Sequence, residues 1–184
     1  VDNAPANTVP VPDKAETTGK RIAIIGGGPS GLAAAYYLEL MGHHAVVFEA
    51  KSKLGGMLRY GIPSYRFPRE RLDQDIEVIL STGVEVHLNT KIGNGEGEVP
   101  FNKLREEYDA VYIAIGAHED KKVGIEGEDS KGVISAVEML GSIGEEVMPD
   151  FKDKTVVVIG GGNVAMDCTR SAIRLGAKKV TIAY

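Results

Sequence analysis

Cysteine is nearly missing from these 184 residues: Cys168 is the single one. That scarcity excludes a disulfide framework, a Cys-x-x-Cys redox pair and a four-cysteine cluster site within the chain, and it suits a reducing cytoplasm. Cys168 itself follows Asp167 in an expected helix with Met166 and Ala172, the setting of a small buried hydrophobe. Long apolar runs are missing too. Although 43% of the residues are hydrophobic, no run approaches the ~20 residues that cross a bilayer, so no membrane span is expected. Basic excess is absent: 21 Lys and Arg stand against 26 Asp and Glu, a net charge of -5. Without a basic stripe to neutralise a phosphate backbone, nucleic acid is not an expected partner, while small anions remain open to backbone amides. The opening stretch "VDNAPANTVPVPDKAETTGK" lacks the apolar core of a signal peptide, and residues 1–19 read as a flexible linker. His43, His44, His87 and His118 share no metal-ligand spacing, and no metal is expected; His43 and His44 sit at a helix-to-strand turn, where a structural role suffices.

Glycine, by contrast, is repeated in a pattern. Sliding the chain on itself by 134 positions puts Lys20 on Lys154, Gly26-Gly27-Gly28 on Gly160-Gly161-Gly162, Gly42 on Gly176 and Val46 on Val180. In each copy a β-branched run ("RIAII", "TVVVI") meets three glycines. A helix-forming stretch ("SGLAAAYYLELM", "VAMDCTRSAIRL"), a glycine stop and a second apolar run ("AVVFEA", "VTIAY") follow. Each copy predicts a β-α-β unit. The expected fold is therefore α/β, with two Rossmann-like units built on parallel sheets. Residues 20–150 form the first domain and 151–184 the start of a second. Because a parallel sheet needs more than two strands to be covered on both faces, the second unit reads as truncated and the sequence as a fragment.

The spacing has a chemical purpose. Gly26 and Gly160 allow the tight turn off the strand, Gly28 and Gly162 let a pyrophosphate approach the backbone, and Gly31 lets the helix pack close to the sheet. Amides at the helix start and the helix dipole then hold the anion, and Pro29 costs nothing there because the first turn does not need its amide. Both copies are thus candidate dinucleotide sites. They differ at the end of the second strand. Glu49, 23 residues after Gly26, is placed to accept from a ribose hydroxyl. The offset of 134 puts Ala183 at the equivalent position. A missing carboxylate there, with Ala165 in place of the third glycine, leans towards NADP over NAD without deciding it.

Between the copies, "AKSKLGGMLRYGIPSYRFPRERLDQDIEVIL" is dense in glycine, aromatics and arginine. Gly55-Gly56 can bring amides against a ligand, and Met57, Leu58, Tyr60 and Ile62 can wall a flat ring system; equally, they can simply pack on the domain. Arg66, Arg69 and Arg71 either steer phosphates or form a solvated helix start. Leu72, Ile76, Ile79 and Leu80 share one helical face, Gly83 stops that helix, and "VEVHL" reads as a strand. "FNKLREEYDAVYIAIGA" adds a short helix and a strand ending on Gly116.

With these residues in hand, the chain resembles the small subunit of NADPH-dependent glutamate synthase and its relatives. Among them are the flavin and NADPH domains of dihydropyrimidine dehydrogenase and the large subunit of the bifurcating NADH-dependent ferredoxin:NADP oxidoreductase. The likeness runs from about Lys20 to Tyr184. It rests on "GGGPSGLAAAYYL", "FEAKSKLGGMLRYGIPSYRFP", "YDAVYIAIGA", "GIEGED" and "VIGGGNVAMD" in family order. The resemblance implies FAD in the first unit and NADPH or NADH in the second. It assigns the FAD pyrophosphate to Gly26, Gly28, Pro29, Ser30 and Gly31, the adenosine ribose to Glu49, and the flavin side to Gly56, Leu58 and Ile62. Ala114 and Gly116 match the family's Ala-Thr-Gly turn on FAD, with Ile115 departing at the threonine. In the second unit Gly160, Gly162, Asn163, Val164 and Ala165 hold the nucleotide. Iron-sulfur clusters are expected only in segments outside this chain or in a partner subunit.

Two functional readings follow. In one, the chain is part of an enzyme in which hydride passes from NAD(P)H to FAD and electrons leave through iron-sulfur clusters. This chemistry needs stacking and distance rather than an acid or base, so no catalytic side chain is expected. In the other, it is a non-catalytic dinucleotide-binding module that folds but cannot turn over. A stand-alone nucleotide or S-adenosylmethionine binder would leave the repeat and the Gly55-Gly56 loop unexplained.

Overall fold

The computed structural model describes residues 10–184. The chain forms two compact units, one from the described part of Val1–Leu58 with Pro68–Gly116, the other from Arg59–Phe67 with Ala117–Tyr184. The first contains β1 (Arg21–Ile25), α1 (Pro29–Leu40), β2 (His44–Phe48), α3 (Arg69–Leu80), β3 (Glu85–His87), α4 (Phe101–Glu107) and β4 (Ala110–Ile113). A short helix α2 (Met57–Tyr60) carries the chain out of it.

Four parallel strands stand in the order β3-β2-β1-β4. Parallel strands joined by crossovers are covered on both faces, which is why, after Arg21 and His44, β1 and β2 run on as "IAII" and "AVVF" without alternating. Ala23, Val46 and Phe48 pack with Leu104 of α4 on one side. Ile24, fully buried, faces α1, where its Cγ2 lies 3.2 Å from the place a side chain on Gly31 would begin.

The stretch before β1 departs from the expected linker. Residues 1–9 lie outside the described residues, but the rest is held. Ala15 N donates to Leu40 O (2.8 Å) and Thr18 N to Gly42 O (2.9 Å). The Lys14 ammonium pairs with Glu39, which is 2% exposed, and donates to Thr82 O at 2.5 Å. A buried carboxylate needs such a cation, and the arm supplies it.

The second unit contains α5 (Ala136–Gly144), β5 (Thr155–Ile159), α6 (Asn163–Arg174) and β6 (Lys179–Ala183), with β5 and β6 parallel. Ser135 caps α5 by accepting from Glu138 N at 3.2 Å, satisfying one of the free amides at the helix start. Met139 and Leu140 of α5 join Phe151, Cys168 and Ala172 in one core, with Val156, Val158 and Val180 packed on it. That burial moves the division between units. Residues 117–150 belong with the second unit, not with the first as the expected boundary at 150 had it.

Arg59–Phe67, far from α6 in sequence, joins the second unit for an electrostatic reason. Asp167 of α6 is buried, and Arg66 Nη1 donates to its Oδ2 at 2.6 Å. Tyr65 OH donates to Asp167 O (3.3 Å), and the Arg174 guanidinium lies 3.9 Å over the Tyr65 ring.

Candidate functional site

The two glycine turns have the same local geometry. Gly26 and Gly160 have φ of 108° and 120°, a region in which a side chain is strained. Each donates its amide across to the second strand of its unit, Gly26 to Phe48 O and Gly160 to Ala183 O, both at 2.8 Å. Gly28 and Gly162 then cap α1 and α6 with extended backbones of φ/ψ -81°/-176° and -82°/-178°. Neither helix start has a side-chain cap, so the amides of the first turn are those an anion would take.

The space around these turns fits a ligand backbone approach. A side chain on Gly162 would meet nothing within 4 Å, and one on Gly28 only the Cα of Gly56, at 3.6 Å. Gly31 is different: a Cβ there would lie 1.9 Å from Gly26 O, so helix and turn touch as closely as the spacing predicted. Pro29 and Ser30 open α1, and the Ser30 hydroxyl is 3.0 Å from that of Tyr112. Asn163 and Val164 open α6, with Val164 exposed and Ala165 buried facing Gly160.

Further residues converge on the first turn from distant sequence. Gly56 approaches so closely that a side chain on it would stand 2.7 Å from Gly28 Cα, and Leu58 N donates to Gly55 O at 3.2 Å in the same bend. The end of β4 arrives from the other side. Ala114 N donates to Ile25 O (2.8 Å), and its carbonyl would be 2.3 Å from a Cβ on Gly26. Gly116 ends the unit, exposed. Ile62 lies in the Arg59–Phe67 segment of the second unit.

Glu49 is only 8% exposed. Its Oε2 accepts from Gly27 N at 2.7 Å and its Oε1 from Lys51 N at 2.8 Å. Two amides thus hold the carboxylate against the glycine turn. The sequence motif did not single out Gly27, although its position explains the middle glycine. A Cβ there would be 2.3 Å from Leu54 Cδ2 and 3.1 Å from Glu49 Oε2.

One expectation is corrected. In the first unit Ile25 pairs with Phe48, but in the second Ile159 pairs with Ala183. The offset of 134 holds as far as Lys178, which donates to Lys154 O as His44 donates to Lys20 O, and fails from Lys179, where one more residue precedes the paired strand. Ala183 matches Phe48; the counterpart of Glu49 is Tyr184. Tyr184 is fully exposed beside the second turn, its Cγ 3.2 Å from where a side chain on Gly161 would begin.

The arginines of the loop are engaged by groups of the chain itself. Arg66 pairs with Asp167, Arg69 Nη1 donates to Leu58 O (2.9 Å) and Arg71 Nη1 to Gln74 Oε1 (3.3 Å). Burial, with Asp167 beside it, pushes the Cys168 thiol up to about 11, which leaves it protonated and unreactive.

A parallel sheet whose first strand passes through a glycine turn into an uncapped helix start defines a dinucleotide-binding protein. Residues 16–184 match the pyridine nucleotide-disulphide oxidoreductase family, and the chain belongs to it. It is 47% identical over 172 residues to the beta subunit of the NADP(+)-dependent formate dehydrogenase of Moorella thermoacetica, covering 92% of this chain and 24% of that one. It is 40% identical over 177 residues to the glutamate synthase [NADPH] small chain of Escherichia coli K12, covering 91% and 37%. The resemblance expected from the motifs is thereby borne out. Among solved structures, Mycobacterium tuberculosis FprA in complex with NADPH superposes with a TM-score of 0.73 at 28% identity, over 89% of this chain and 43% of that one. This chain spans well under half of each of these proteins.

Proposed function

We propose that the chain carries the FAD site and the beginning of the NAD(P)H site of an NAD(P)H-dependent flavin oxidoreductase working in the cytoplasm. The observation that carries this reading is the pair of glycine turns, matched in backbone angles and in their strand-to-strand hydrogen bond, yet different at Glu49 and Tyr184. When bound, the two cofactors supply hydride transfer from nicotinamide to flavin, with electrons passing on through iron-sulfur clusters of a partner subunit or domain. The chain's own residues bind and orient. Gly26, Gly28, Pro29, Ser30 and Gly31 leave backbone and amides open to the FAD pyrophosphate, and Glu49, held by Gly27 and Lys51, is aimed at the adenosine ribose. Gly56, Leu58, Ala114 and Gly116 border the first turn. Gly160, Gly162, Asn163, Val164 and Ala165 form the corresponding seat for the NAD(P)H pyrophosphate.

The test is spectroscopic. In the full-length protein, Gly28→Trp should lose the flavin bands. Gly162→Trp should keep them while stopped-flow reduction by NADPH and NADH is blocked. Unimpaired reduction in Gly162→Trp, or undiminished flavin in Gly28→Trp, would overturn the corresponding site.

A further inference from the structure

We infer that the second unit carries a binding site for a small uncharged ring compound with one hydrogen-bonding group, seated at the C-terminal end of α6. A cavity of about 140 Å³ opens there, and Ser171, one of its lining residues, has a buried hydroxyl with no partner among the described residues.

The missing partner has a cause. A serine inside a helix can bond its hydroxyl to the carbonyl four residues back, which for Ser171 is Asp167 O. Tyr65 OH donates to that carbonyl instead, at 3.3 Å. Ser171 is only 3% exposed, and a buried hydroxyl left without a bond is costly. A ligand that reaches it removes that cost.

Size and charge then define the ligand. Tyr65, Ile143, Met148 and Leu175 supply apolar lining, and Tyr65 and Met148 reach the surface. A volume of about 150 Å³ accommodates benzene, so the cavity takes one ring. The charges beside it have counterparts within the chain. Arg66 Nη1 donates to the Asp167 carboxylate at 2.6 Å; Asp167, whose Oδ1 is also unpartnered, is not part of the lining. Arg174, which does line the cavity, lies 3.9 Å over the Tyr65 ring and donates from Nη1 to Arg170 O at 3.2 Å. It sits in the last turn of α6, where the helix end favours a cation. Charges already matched favour an uncharged ligand, and the one free hydroxyl asks for one hydrogen bond. Phenol has that form. The site stands apart from the proposed nucleotide seat, because Ser171 lies about 12 Å along the helix axis from Asn163, at about 1.5 Å per residue.

The test uses the full-length protein and nuclear magnetic resonance of its methionine methyl groups, with the Met148 signal assigned through Met148→Leu. Phenol should shift that signal saturably, with a Kd in the millimolar range expected of so small a ligand. Benzene, which fills the same space without the bond, should bind about fivefold or more weakly. Ser171→Ala should erase that difference, while its melting temperature stays level with the parent or rises, since the variant removes a hydroxyl that had no partner. Saturating NADP+ should leave the phenol shift in place. The inference is overturned if phenol gives no saturable shift, if benzene binds as well in the parent, or if the preference survives Ser171→Ala. Tighter binding of benzoate or benzylamine than of phenol would overturn it too, as would displacement of phenol by NADP+. A lower melting temperature in Ser171→Ala would do the same, because the hydroxyl would then be bonded in the empty protein.

Discussion

Replacing Gly31 with alanine sets helix propensity against space, and the distances decide the outcome. Gly31 lies in the first turn of α1, where alanine is worth up to about 1 kcal/mol over glycine. Against this, the new Cβ would stand 1.9 Å from Gly26 O, 3.1 Å from the carbonyl carbon and 3.2 Å from Ile24 Cγ2. Ordinary contact begins at 3.4 Å, so helix and turn must part by more than an ångström, and the nearest atom is backbone that cannot swing aside. Overpacking of this kind costs about 1–3 kcal/mol, and a backbone obstacle places Gly31→Ala at the upper end. The net expectation is a loss of about 2 kcal/mol. At roughly 2–4 °C per kcal/mol for a chain of this size, the melting temperature followed by circular dichroism should fall by about 4–8 °C. Flavin retention should fall with it, since the parted turn no longer presents its amides together. The second unit supplies the control: Ala165 occupies the same helix position, with its methyl 3.9 Å from where a side chain on Gly160 would begin. Ala165→Gly relieves no clash and gives up about 1 kcal/mol of helix propensity. A Gly31→Ala variant as stable as the parent would refute the argument that close helix-to-turn contact dictates the third glycine.

Glu49→Ala removes the acceptor for Gly27 and Lys51 as well as any bond to a ribose, each charge-assisted bond being worth about 1.5–3 kcal/mol. FAD affinity, read by fluorescence titration, should drop about tenfold or more, and an unchanged Kd would make Glu49 a structural clamp only. Arg66→Ala should destabilise the protein by roughly 2 kcal/mol or more, because it strands the buried Asp167 carboxylate. Asp167→Asn should cost less, since the half-exposed Arg66 can turn to water; denaturant midpoints in the reverse order would refute this. With its thiol raised to about 11, Cys168 should carry roughly a hundredfold less thiolate at pH 8 than an ordinary cysteine. Iodoacetamide should therefore label the native protein slowly and the unfolded chain quickly, and equally fast labelling of both would contradict the burial.

Local chemistry was legible in the sequence wherever it is written in a few consecutive residues. A glycine after a strand must take positive φ if the chain is to turn there, so Gly26 and Gly160 announced both turns. A missing Cβ at Gly31 announced close packing, and Glu49 stood out by its spacing. The strands and the helices at 69–80 and 101–107 followed from periodicity and glycine stops. These features depend on backbone sterics and on neighbours three or four positions away.

Wherever two distant segments had to be compared or brought together, tertiary structure decided. One added residue between α6 and β6 moved the counterpart of Glu49 from Ala183 to Tyr184, because strand pairing counts hydrogen bonds across the sheet, not positions along the chain. Buried charge settled two other assignments. Glu39 draws Lys14 and the supposed linker onto α1, and Asp167 draws Arg66, with Arg59–Phe67, into the second unit. Residues 117–150 went the same way through the apolar contacts of Met139 and Leu140. Sequence alone determined that this protein has two matched glycine turns; burial and register, which act between residues far apart in the chain, determined what surrounds each of them.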